Sequence, residues 1–226
     1  MTTALEQKYL DVALDPTFTN KMARAFDNDE PAPAKHVAYD PSLRNTGVLA
    51  YYVNPEEVVD LHPEYNRPLV RSALKQQIGT TDPYMGLNPE LQYMDEEFVH
   101  SAIKHEQGHG AQPKGKLALK GIRARTSLGN VPLGEMFIEG WDEYTLEKRG
   151  EKPPSRYMDE SQGSSLYSQY REFVRDVEQS APGVTRQIMR AAEKAGPEAA
   201  MRVIETIPDV NGIITKYAGK LNYRMN

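Results

Sequence analysis

Two histidines four residues apart, the first followed at once by a glutamate, constrain this chain more than any other feature: His105-Glu106-Gln107-Gly108-His109. In a helix, residues at this spacing lie about 40° apart around the axis, so both imidazoles project from one face. Two nitrogens so placed can bind one zinc ion, each at about 2.0–2.1 Å. Glu106 can then face water at that ion and take its proton. The neighbourhood agrees with an inward-facing helix. Asp95 suits the N-cap, and Glu96 and Glu97 suit the positive end of the helix dipole. Phe98, Val99, Ala102 and Ile103 form an apolar stripe that runs into His105, Glu106 and His109. Gly110 and Pro113 stop the helix soon after the motif. The competing reading is a polar helix end whose histidines only cap carbonyls. It does not explain why the apolar stripe leads straight into the motif.

A catalytic zinc ordinarily takes three protein ligands and leaves one position for water. Of the other histidines, His36 and His62 lie in proline-rich stretches, and His100 falls on a different face of its helix from His105. A carboxylate is the better third ligand. Downstream, Pro132 suits the first turn of a helix and Gly150 its stop. Between them Leu133, Phe137, Gly140 and Tyr144 make an apolar side, while Glu135, Glu139 and Glu143 make an acidic stripe. Like charges one turn apart repel, and a divalent cation nearby would offset the repulsion. The alternative is a solvated acidic face. Gly140 costs a helix interior about 1 kcal/mol relative to Ala, which close approach of another helix, here the histidine helix, would justify.

Glu139-Gly140-Trp141-Asp142-Glu143-Tyr144 resembles the E-G-W-x-x-Y signature of a large family of zinc-peptidase-like proteins of formerly unknown function. Those proteins also carry an upstream H-E followed by G-H. In this chain the insertion usually found between the two pairs is absent, which makes His105–His109 similar to the H-E-x-G-H of the thermostable carboxypeptidase family and of the oligopeptidases. The resemblance covers mainly residues 95–150. It implies a gluzincin-type zinc metallopeptidase with Glu139, on a second helix, as the third ligand. It also implies Glu143, or its rival Asp142, as the acid that orients a metal-bound histidine. Lys216-Tyr217-Ala218-Gly219 loosely resembles the C-terminal tyrosine motif of these relatives, which implies Tyr217 as the group facing the developing oxyanion. The residues themselves allow a plain buried aromatic there. Arg171, Arg175 and Asp176 echo an arginine-rich helix of the same family; pairing on a helix surface is the favoured reading over binding of a substrate carboxylate. A histidine that often follows this helix in the relatives is missing here.

The rest of the chain narrows the class. A net charge of −5 gives no reason to expect nucleic-acid binding. No long apolar run predicts a membrane span, and the N-terminus lacks the charged and apolar regions of a signal peptide. The absence of cysteine excludes disulfides and thiolate ligands, and is compatible with a cytoplasmic protein. The reading is therefore a cytoplasmic zinc peptidase acting on a peptide or small protein. Two alternatives stand beside it: a non-catalytic helical binding protein with a vestigial or structural metal site, and a zinc hydrolase of a non-peptide amide.

The expected fold is mainly α (α+β), zincin-like, a single domain over residues 1–226 with a small β element. Residues 95–150 carry the metal-site helices and 155–226 a C-terminal helical part. Residues 1–26 read as helical. Residues 27–46, with Pro31, Pro33 and Pro41, read as an irregular connection. Val48–Val53 and Leu91–Met94 read as strands, and Arg67–Ile78 as a helix ended by Gly79. Helices are predicted at about 160–179, 184–195, 197–206 and 209–221, separated by Pro182-Gly183, Gly196-Pro197 and Pro208.

Overall fold

The computed structural model of the protein describes residues 3–60, 67–114, 116–162 and 165–225. It is helix-dominated with few short strands, as the sequence predicts. The chain divides into two compact units, Met1–Gln112 and Pro113–Asn226. His62 lies outside the described residues.

The first unit opens with α1 (Ala4–Leu14) and α2 (Pro16–Phe26). Thr3 starts α1 with a reciprocal cap: its hydroxyl accepts the Glu6 N–H at 3.1 Å, and the Glu6 carboxylate accepts the Thr3 N–H at 2.6 Å. Asp15 separates the two helices by ending α1 and capping α2, accepting the Thr17 N–H at 2.9 Å, while Pro16 sits where its missing N–H costs nothing. A three-stranded sheet follows, in the order β1 (His36–Tyr39), β3 (Tyr84–Leu87), β2 (Ala50–Val53). β1 runs parallel to β3 with His36 opposite Tyr84, and β2 runs antiparallel with Ala50 opposite Leu87. Between β2 and β3 come α3 (Pro55–Asp60) and α4 (Arg67–Ile78), the latter with the bounds expected. The histidine helix is α5 (Glu96–Ala111). Tyr9 and Ala13 of α1, Met85 and Leu87 of β3, and Val99 and Ile103 of α5 meet in one apolar core.

Two expectations fail in this unit. Leu91–Met94 is not a strand; it falls on a 3₁₀ turn, Pro89–Tyr93, where Asn88 accepts the Glu90 N–H and Pro89 fixes the first φ. The strand is the segment just before it, β3. The connection over 27–46 is not wholly irregular, because β1 lies within it, recruited by its pairing with β3.

The second unit holds α6 (Lys116–Leu119), a hairpin of β4 (Ala124–Thr126) and β5 (Gly129–Val131), and α7 (Leu133–Lys148). Then come α8 (Pro154–Gln162), α9 (Leu166–Ser180), α10 (Val184–Ile204) and α11 (Val210–Met225). The hairpin was not foreseen. The predicted break at Gly196-Pro197 is a kink inside α10, made by the backbone of Ala195 and the positive φ of Gly196. Phe137 of α7 packs edge-on against Phe173 of α9 at 5.1 Å between centroids, and Phe173 against Tyr217 of α11 at 5.6 Å. Gly140 allows a close approach, but of α9: a Cβ there would stand 2.3 Å from the Tyr170 carbonyl oxygen. Among the described residues, no helix is long and apolar enough to cross a membrane.

Candidate metal centre

The histidine helix begins as its sequence predicts. Asp95 caps α5, its carboxylate accepting the N–H groups of Glu97 and Phe98 at 3.0 and 3.1 Å. Val99, Ala102 and Ile103 are buried, and the buried face continues to His105, only 6% exposed. The two imidazoles stand edge to face, 4.8 Å between centroids at 81°. Glu106 and His109 are half-buried.

On α7 the three carboxylates of the acidic stripe have separate surroundings. Glu135 pairs with Arg123 at 3.4 Å. Glu143 is almost wholly buried; it accepts the Ser155 N–H at 3.4 Å and the Ser155 hydroxyl, and lies 3.5 Å from Arg171 Nη1. Glu139 offers one oxygen that lies, with one ring nitrogen each from His105 and His109, in a group whose members are all within 4.8 Å of one another. The group could hold a metal ion. Two imidazoles and one carboxylate also leave room for a fourth, exchangeable ligand.

The other candidates are placed as follows. Tyr217 is 1% exposed on α11; its hydroxyl donates to Asp176 Oδ2 at 2.9 Å, and Lys216 and Lys220 lie over its ring. Burial, then the bond to Asp176, pushes its pKa well above the usual phenol range. Asp142 is completely buried on α7. Arg171 and Arg175 do not form a simple surface pair. Arg171 is 2% exposed and lies 3.8 Å from both Glu147 and Asp159, besides its contact with Glu143. Arg175 and Arg156 both donate to Glu147. Burial alone would raise Glu147, but these hydrogen bonds outweigh it and hold its carboxyl below the usual range.

Sequence reasoning missed Ser155, which follows the Pro153-Pro154 break and reaches back to Glu143. No local pattern marks it. It also passed over Gln107 and Asn28, whose amides hold the histidine helix. Gln107 was visible only as an unspecified position inside the motif.

No family model matches this chain, and neither does any curated protein or solved structure.

Proposed function

We propose that the protein is a zinc-dependent peptidase of the gluzincin type. The observation that carries this reading is the grouping of His105, His109 and Glu139, with Glu106 directly after the first histidine. Two neutral imidazoles and a carboxylate form a donor set that suits zinc, and the motif resemblance over residues 95–150 favours peptide bonds as the target. Bound zinc supplies a Lewis acid for the scissile carbonyl and lowers the pKa of a water molecule. Glu106 would take a proton from the attacking water and return it to the leaving amine. Glu143, oriented by Ser155 and Arg171, is the candidate acceptor for the remaining N–H of a ligand histidine, with Asp142 its rival. A buried carboxylate in that role fixes the tautomer and direction of the ring.

The test is metal analysis of purified protein together with a peptide-library screen at neutral pH, run beside Glu106→Gln. Zinc with peptide turnover that the variant loses supports the proposal. Zinc without turnover of any peptide overturns the peptidase assignment and leaves a vestigial site or a non-peptide amide hydrolase. Absence of any bound metal overturns the site itself.

A further inference from the structure

The histidine helix is held by polar contacts that none of the metal-site residues make. Gln107 lies between the two histidines in sequence but about 160–200° around the helix from them, on the opposite side. Its side chain is buried, at 3% exposure. Its Nε2 donates to the Val12 and Asp15 carbonyls, each at 3.0 Å, with the Ala13 carbonyl at 3.5 Å. α1 ends at Leu14. These oxygens belong to its last turn and the cap, where helical partners run out; the Val12 oxygen also accepts the Asp15 N–H at 3.3 Å. The motif's central residue thus caps another helix.

The C-terminal end of α5 is held the same way. Asn28 Nδ2 donates to the carbonyls of Ala111 at 2.9 Å and Gln112 at 3.1 Å. Its Oδ1 accepts the Glu30 N–H at 3.0 Å, which fixes which way the amide points. The Ala32 N–H donates to the Gly110 carbonyl at 2.8 Å. Gly110 makes this approach possible, since a Cβ there would come within 2.7 Å of the Ala32 oxygen. The carbonyls of residues 110–112, immediately after His109, are therefore all met by residues 28–32.

We propose that Gln107 and Asn28 are positioning residues for the metal ligands. One tether grips the helix behind the histidines and the other grips its end just past His109. Together they set the rotation and axial position of the turn that presents both imidazoles. The inference rests on reading His105, His109 and Glu139 as a zinc site.

The experiment uses the full chain and zinc alone as the probe. Zinc affinity is measured by competition with a chromophoric chelator, and site geometry by the visible spectrum of the Co²⁺ form, for the wild type, Gln107→Met, Asn28→Asp and Asn88→Ala. Asn88 is the structural control: it too is buried and donates to two carbonyls, Leu43 and Val48, away from the histidine helix. Gln107→Met and Asn28→Asp should weaken zinc binding about 10-fold or more and alter the Co²⁺ band. Asn88→Ala should lower thermal stability while both metal readouts stay as in the wild type. Gln107→Lys, whose ammonium can donate to the same helix-end carbonyls, should restore affinity to near that of the wild type. If Gln107→Met fails to fold, the half-buried Asn28 site carries the same test. Wild-type affinity and spectrum in Asn28→Asp or Gln107→Met would overturn the positioning role, as would an equal loss in Asn88→Ala. A wild type that binds no zinc would instead overturn the zinc site, and this inference with it.

Discussion

Arg171 Nη1 stands 3.5 Å from Glu143 Oε2, and both side chains are all but sealed from solvent, at 2% and 1% exposed. Burial pulls the guanidinium below its ordinary pKa, while Glu143 and Glu147 pull the other way. Arg156 and Arg175 complete the set through Glu147, and Asp159 approaches from α8. Three arginines and three carboxylates thus tie α7, α8 and α9 together. The network lies one turn beyond Glu139.

Breaking this pair from one side leaves a buried charge without its counterion. Arg171→Met should cost about 3–5 kcal/mol, and so should Glu143→Met. The double variant should recover part of that loss, because neither charge then remains buried. Urea unfolding of the single and double variants checks this. Additive losses would mean the two groups do not interact.

Metal content tests the ligand set. Purified protein should carry about one zinc per chain, and His109→Ala and Glu139→Ala should each lose most of it. Glu143→Ala should weaken zinc affinity roughly 10–100-fold if Glu143 orients a ligand histidine. The same loss in Asp142→Ala, with none in Glu143→Ala, would exchange their roles. Full occupancy in a variant lacking both His105 and His109 would dismiss the site.

Glu106 is assigned as a base and not as a ligand. Glu106→Gln should keep zinc and the far-UV circular dichroism of the wild type while turnover falls by about 10²–10⁴. A variant with undiminished turnover would remove Glu106 from the mechanism.

Replacing a helix-interior glycine with alanine ordinarily gains about 1 kcal/mol. At Gly140 the sign should reverse. The new Cβ would stand 2.3 Å from the Tyr170 carbonyl oxygen and 2.9 Å from Val174 Cγ2, and a backbone atom cannot rotate away. A loss of about 1–3 kcal/mol in urea unfolding is expected. A stabilised variant would show that α7 and α9 can separate at no cost.

At high pH, Tyr39 makes folding weaken. Burial first, then the nearby Glu6 carboxylate, pushes its pKa up to about 12. Its hydroxyl donates to the Glu6 carbonyl at 3.1 Å. Between the unfolded value near 10 and the folded value, the folded state keeps a proton that the unfolded state has lost. The stabilisation is therefore complete below about pH 10 and disappears as pH rises through the folded pKa. Tyr39→Phe should flatten that part of the alkaline stability curve, as measured by denaturant midpoints from pH 9 to 12. An unchanged slope would place the alkaline loss elsewhere.

The two helices at the centre of the site were legible because their signals are local. Asp95 as a cap, the apolar stripe ending at His105, the bounds of Arg67–Ile78, and Pro132 and Gly150 bracketing α7 all depend on residues within a turn or two of one another. Side-chain spacing on a helix also settles which histidines can share a metal. The sequence left Glu135, Glu139 and Glu143 as alternatives, and motif resemblance singled out Glu139. Their different surroundings come from Arg123 and Arg171, residues distant from them in the chain. The remaining misjudgements share one physical cause. β1 becomes a strand through pairing with β3, almost fifty residues later, and no local preference signals it. Pro89 and Asn88 turn the segment after β3 into a 3₁₀ turn although its side chains are apolar enough for a strand. Gly140 identifies a close approach without naming the neighbour, which is α9. Arg171 reads as a surface cation until α7 and α8 enclose it with carboxylates. Local propensities are worth a fraction of a kcal/mol per residue, whereas burial and pairing with a distant segment are worth several, so in each of these places the tertiary partner decided the outcome.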